Sequence, residues 1–363
     1  MKRKALWISI IGILLIGFVC LFCYRHYIRQ KQIEQKKHTG LVSEDFPVQD
    51  IKHQSKNIYE DAYQAETDTQ LQIMKDNHSY TIEDPLLVWN PYGTNTGSFY
   101  YYGVSEQDSY VVCEVTCNNG SVIKHRLIND SDSGVTKTHE YLITGLAPGL
   151  ENHFSLAFYD AGNNLIHTYQ YTVTLKKDKQ IPAITKVEKG NSKSSLTDGL
   201  FAVLGHDKSK AKNIYYYDNN GICRGKTPLT DYRTDRILTI DGKIVYSYSL
   251  TDIAFVNRLG KVEKTLSLGK YELHHDFMYD EKRNELLCLV NDTDKDTIED
   301  VLISVNIETG KIKKLVDFEK MMKSMRKRSV QRKGGKNTYG GTELDWLHLN
   351  SLDMINDKDA VFS

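Results

Sequence analysis

Tyr271-Glu-Leu-His-His-Asp-Phe-Met-Tyr-Asp-Glu-Lys-Arg-Asn-Glu-Leu-Leu-Cys-Leu289 aligns without a gap on Asp345-Trp-Leu-His-Leu-Asn-Ser-Leu-Asp-Met-Ile-Asn-Asp-Lys-Asp-Ala-Val-Phe-Ser363. In this register His274 falls on His348, Asp276 on Asn350, and Leu286-Leu287 on Ala360-Val361. Self-similarity at a fixed period marks a repeat architecture. Around the first copy, His275–Tyr279, Glu285–Val290, Val301–Asn306 and Lys311–Val316 read as one four-strand set, with Glu308-Thr-Gly310 turning the last pair. Upstream, Asn213–Tyr217 pairs with Gly221–Arg224, Ile237–Ile240 with Ile244–Ser249, and Asp252–Val256 with Val262–Ser267. Four-strand units repeated in this way are β-propeller blades, and the innermost strand of each lines the axis. Residues 182–363 hold about two to three such units, whereas a closed propeller uses at least four. The final run, Asp359–Ser363, has strand character and no turn or cap after it. The expectation is an incomplete β-propeller, cut inside its fold.

The second copy sets His348 and Asn350 two apart in Asp345-Trp-Leu-His-Leu-Asn-Ser351. Read as a strand, that spacing projects an imidazole and an amide from one face, a pairing suited to gripping an oxyanion. On the same reading His274 and His275 point to opposite faces of their strand, which does not favour chelation, and no metal site is expected. No Gly-rich phosphate loop precedes a helix, and neither G-x-S-x-G nor H-E-x-x-H occurs. Lys and Arg number 47 and Asp and Glu 47, so no bulk field favours nucleic acid. The basic run Lys323, Arg326, Lys327, Arg328, Arg332, Lys333 and Lys336 reads as a solvated loop.

The N-terminal half has three textures. Residues 5–24 form an apolar run behind Lys2, Arg3 and Lys4, long enough to span a bilayer as a helix. No small-residue cleavage site follows it. Residues 1–30 are therefore expected to be a single-pass signal anchor in the cell membrane, with the C-terminal body extracytoplasmic. Residues 31–83 read as a polar stalk carrying a helix, with Ile51, Ile58, Ala62, Ala65, Leu71 and Ile73 as its apolar face. From Asp84-Pro85 to residue 178, seven short alternating runs separated by Gly/Asn/Asp turns indicate a β-sandwich. Cys20 and Cys23 sit within the apolar run, and Cys113, Cys117, Cys223 and Cys288 lack metal-ligand spacing.

Tyr141-Leu-Ile-Thr-Gly-Leu-Ala-Pro-Gly149 followed by His153-Phe-Ser-Leu-Ala-Phe-Tyr-Asp-Ala-Gly162 resembles the corner of an immunoglobulin-like or fibronectin type III domain. That domain, the His-His-Asp276 motif and Asp-Trp-Leu-His-Leu-Asn-Ser351 together resemble the bacterial arylsulfate sulfotransferases, over residues 50–363. The resemblance implies a six-bladed propeller behind a small β-domain. It implies transfer of a sulfuryl group from a phenolic sulfate ester to a phenol through a sulfo-histidine, with no cofactor. His348, Asn350 and one of His274 and His275 would bind the sulfuryl oxygens. Repeat phase favours His274 and the family's His-Asp pairing favours His275. The nucleophilic histidine and a sulfate-binding arginine are expected beyond Ser363, so this chain would be inactive as it stands. Some members of the family dimerise, which admits a homodimer. The alternative reading is a membrane-anchored propeller used for binding or adhesion without catalysis, since fold does not fix function.

Overall fold

The structure is a computed structural model that describes Tyr24, Arg25, Tyr27 and residues 48–131, 133–181, 188, 199–204, 212–231, 234–329, 344–356 and 359–363. The apolar run expected to anchor the chain lies outside these residues except for Tyr24. No helix among the described residues is long and apolar enough to cross a membrane.

Helix α1 (Asp61–Asp76) opens the described body, with Asp61 in its first turn and Lys75 in its last, each matched to the helix dipole. Its buried face is Tyr63, Gln64, Thr67 and Leu71. The expected face was partly wrong, because Ala62 and Ala65 are exposed and Ile73 is 47% exposed. Polar side chains can face inward here because backbone satisfies them. Gln64 Nε2 donates to the Ile58 carbonyl at 2.6 Å and its Oε1 accepts from Val262 N–H at 3.0 Å. The segment before α1 is no free stalk: Tyr59 stacks on Tyr248 at 3.8 Å and its hydroxyl donates to the Pro228 carbonyl at 2.6 Å.

The next region comprises β1 (Leu86–Trp89), β2 (Ser98–Cys117), β3 (Ile123–Arg126), β4 (Thr136–Thr144), β5 (Glu151–Tyr159) and β6 (Leu165–Thr174). Two of the expected strands are one: β2 runs on for 20 residues and shifts register between Val104 and Ser109. Its first half pairs with β1 and β4, its second with β3 and β5, and β6 completes that side. Phe99, Tyr101 and Ile143 from the first half pack in one core with Val111, Cys113, Phe154 and Leu156 from the second. The long β2 thus carries strands on both of its halves, and their side chains share one core.

The C-terminal half stacks antiparallel sheets in chain order. The first is β7 (Phe201–Val203), β8 (Asn213–Tyr217) and β9 (Cys223–Pro228). The second is β10 (Ile237–Ile240), β11 (Lys243–Ser247), β12 (Asp252–Val256) and β13 (Val262–Ser267). The third comprises β14 (Tyr271–Asp280) and β15 (Glu285–Asp292), then, after the short β16 (Thr297–Ile298), β17 (Val301–Asn306) and β18 (Ile312–Asp317). Two short helices, α2 (Phe318–Met321) and α3 (Lys323–Arg326), begin the basic run expected as a loop, and Arg326 pairs with Glu319 at 3.3 Å. Strands β19 (Leu344–Asp345), β20 (Leu352–Met354) and β21 (Ala360–Phe362) end it.

Strand period explains the stacking. On β12, Ile253 and Phe255 face the third sheet, while Ala254 and Val256 face the first. On β15, Leu286, Cys288 and Val290 face the second sheet, while Leu287 and Leu289 face Phe318, Leu349 and Leu352. Sheets buried on both faces carry near-continuous apolar runs, which is why Glu285–Val290 and Val301–Asn306 read so strongly. Among the described residues, none of the sheets is closed.

Candidate functional site

The His-His-Asp276 motif does not lie in regular strand. Leu273 pairs with Val290 and Phe277 with Cys288, so three residues on β14 face Leu289 alone. Such a bulge re-aims side chains, and His275 takes a left-handed φ of 55°. His274 and His275 are therefore not on opposite faces as expected from strict alternation. Their rings stand 5.4 Å apart at 86°, and both have a ring nitrogen near Glu299. Asp276 serves the scaffold. It accepts the Leu352 N–H at 2.9 Å and pairs with Arg236 at 2.6 Å, tying β14 to β20.

His348 reaches the same place by another route. β19 runs parallel to β16, with Thr297 opposite Leu344 and Ile298 opposite Asp345. Trp346 Nε1–H donates to Asp300 at 2.9 Å, and the Glu299 backbone N–H donates to Asn291 Oδ1 at 2.7 Å. These bonds set Glu299, at φ 59°, beside His348, at φ 54°. His348 Nδ1 lies 2.5 Å from Glu299 Oε2 and 2.8 Å from Asp345 Oδ2, and His275 Nε2 lies 3.6 Å from Glu299 Oε1. The His275 and His348 rings are 5.4 Å apart.

The expectation that His348 and Asn350 project from one strand face fails. Residues 348–350 are not strand, because the left-handed turn at His348 breaks the alternation. Asn350 is exposed, and its amide donates to the His348 carbonyl at 3.0 Å. The turn also alters the repeat. The gapless register sets His274 on His348, but backbone conformation matches His275 to His348.

Among the described residues, the non-glycine positions with positive φ are Asn90, Asn119, Asn163, Asp241 and Asn284, and then His275, Glu299 and His348. Asn and Asp adopt this region readily, whereas His and Glu in it cost about 1–3 kcal/mol each. The three costly positions are the three whose side chains meet. Burial pushes the Glu299 carboxyl up, but the hydrogen bond from His275 and the field of the three histidines outweigh it and leave it lowered. Burial dominates at His274 and depresses it to about 3, against a smaller upward pull from Glu299. A backbone contact to Val290 falls short of hydrogen-bond geometry there. The site has a buried floor of Glu299 and His274 and an open mouth, where the side chains of His275 and His348 are 20% and 40% exposed. With Nδ1 of His348 against two carboxylates, that nitrogen carries the proton and donates, which leaves Nε2 for a ligand.

Sequence reading found the histidines and missed their carboxylate partners. Asp345 carried a signal, three residues before His348 in the motif. Glu299 carried none, because a long-range parallel pairing delivers it.

Residues 185–363 match the family model for Arylsulfotransferase (ASST). This half of the chain is an arylsulfotransferase domain. No curated protein sequence matches the chain significantly. Among solved structures, Sqt1 of Saccharomyces cerevisiae is similar at a TM-score of 0.23 and 11% identity, covering 60% of this chain and 56% of that one. The chain thus spans little over half of that protein. Glutaminyl cyclase of Myxococcus xanthus gives 0.23 and 10%, covering 51% of this chain and 72% of that one. The His275–Glu299–His348 cluster lies wholly within the arylsulfotransferase domain, as do the third sheet and β19–β21 that position it.

Proposed function

We propose that the arylsulfotransferase domain binds a phenolic sulfate ester through His275 and His348, for transfer of its sulfuryl group to a phenol. The observation that carries this reading is the convergence of two partly exposed imidazoles, from separate segments, on one buried carboxylate. Glu299 lies 2.5 Å from His348 Nδ1 and 3.6 Å from His275 Nε2, so one carboxylate orients both rings. Sulfuryl transfer spreads negative charge over oxygens as the ester bond loosens, and fixed N–H donors aimed at them stabilise that state. Asn350 holds the loop carrying His348 through its bond to the His348 carbonyl. The stacked four-stranded sheets are read as consecutive propeller blades. By the family resemblance, the sulfuryl group passes through a histidine, and turnover reports whether His274, His275 or His348 fills that role.

The test is calorimetric binding of 4-nitrophenyl sulfate. A hydrogen bond to a charged group contributes about 1.5–3 kcal/mol, so His275→Ala and His348→Ala should each weaken binding roughly tenfold to a hundredfold. Wild-type affinity in both variants would remove these residues from the site. Steady release of 4-nitrophenol with phenol present would show that one of His274, His275 and His348 is itself the acceptor.

A further inference from the structure

We propose that His274, His275 and Glu299 form a site for a divalent transition-metal cation. Their ligating atoms lie within 4.8 Å of one another. Two imidazole nitrogens and a carboxylate oxygen are donors such ions take, commonly with an open position left for a further ligand. The second observation is His274. It is 5% exposed, its ring is turned into the cluster, and neither nitrogen has a hydrogen-bond partner. A buried polar group left in that state costs free energy, and a bound ion removes the cost.

Glu299 divides its oxygens between two tasks. Oε2 is engaged by His348 Nδ1 at 2.5 Å, and Asp345 holds that imidazole in turn at 2.8 Å. Oε1 faces His275 Nε2 at 3.6 Å. With bonds of about 2.0–2.2 Å, adjacent zinc ligands stand roughly 3.4 Å apart in a tetrahedron. The Glu299–His275 edge is close to that already. His348 and Asp345 then act as the outer partners that orient a coordinating carboxylate. The register shift of β14 between Leu273 and Phe277 lets the two rings draw inward.

The cation site needs His274 and Glu299 as ligands, and the sulfuryl reading uses neither in that role. His275 is shared. A nitrogen lone pair given to a metal is not an N–H given to a sulfuryl oxygen, so zinc and the sulfate ester should interfere at His275.

Zinc chloride titrated calorimetrically into the EDTA-treated, dialysed chain tests the proposal. We expect one ion bound by wild type, and affinity at least tenfold weaker in His274→Ala and in the isosteric Glu299→Gln. His153→Ala, at an exposed site on β5, should leave binding unchanged. Circular dichroism reports whether each variant folds. Cobalt(II) titrated into wild type should give a visible d–d band that zinc displaces, which keeps the test open if a variant unfolds. No zinc uptake by wild type, or uptake unchanged in both folded variants, overturns the site. Ester binding measured in EDTA is a separate readout, so zinc uptake and ester binding can fail independently.

Discussion

His139 is fully buried between Ser105 and Ser109 of the β2 bend, whose hydroxyls lie 3.0 and 3.1 Å from its Nε2, and Tyr141, whose hydroxyl lies 3.1 Å from Nδ1. Hydroxyls serve a neutral ring well, so burial prevails over the more distant Asp108 and lowers the imidazole from 6.5 to about 4. The unfolded chain then binds the proton more tightly. Stability is full above about pH 6.5 and falls as pH drops toward 4. At pH 5 the loss from this group should be about 2 kcal/mol, at 1.36 kcal/mol per pH unit. His139→Gln cannot titrate. Urea denaturation at pH 7.5 and pH 5 should therefore show the variant losing about 2 kcal/mol less than wild type, and equal losses would defeat the burial argument. His274 titrates in the same direction for the same reason. Side-chain type alone did not separate these two from His275 and His348, which keep part of their surface in solvent and a carboxylate at hand.

Strands were legible wherever burial imposed a period. The runs read as Glu285–Val290 and Val301–Asn306 became β15 and β17 with bounds within two residues. What alternation cannot express is an interruption of itself. The β14 bulge and the left-handed turn at His348 are local departures from period two, and the site is built on both. Sequence thus gave the histidines but aimed them wrongly. Two-sided burial of β12 is open to direct test. Phe255→Ala should cost about 3–5 kcal/mol through the cavity left toward the third sheet. Ala254→Leu should cost about 1–3 kcal/mol by overfilling the packing against Ile214 and Tyr246. If Ala254→Leu were neutral in urea unfolding while Phe255→Ala was not, only one face of the second sheet would be packed.

At the scale of the whole molecule, a buried ion pair of the first stacked sheet reaches across to the β1–β6 region. Arg224, on β9, and Asp218, beside the β8–β9 turn, have no side-chain exposure, and Arg224 Nε donates to Asp218 Oδ2 at 2.7 Å. The same guanidinium donates to the carbonyls of Gly145, at 2.7 Å, and Ser121, both in turns of that region. Asp218 in turn accepts the Ser121 N–H at 3.0 Å. A Cβ on Gly97 would stand 1.9 Å from the Arg224 carbonyl oxygen, so backbone also meets backbone at this junction. Removing one partner of a buried pair strands the other charge, at about 3–5 kcal/mol, whereas removing both costs much less. Arg224→Met should therefore be destabilised by about that amount, and Arg224→Met with Asp218→Asn by clearly less than the sum of the single changes. Of the three tryptophans, Trp89 lies on β1 and Trp346 beside the histidine cluster, so in a Trp7→Phe background substituting either by Phe leaves the other as the single fluorescent reporter. If the junction couples the two halves, both reporters unfold together in wild type and apart in Arg224→Met. Coincident transitions in the variant, with stability within about 1 kcal/mol of wild type, would mean that other contacts across the junction, such as those of Thr94 with Gly260 and Thr227 and of Arg258 with Glu140, hold the halves instead.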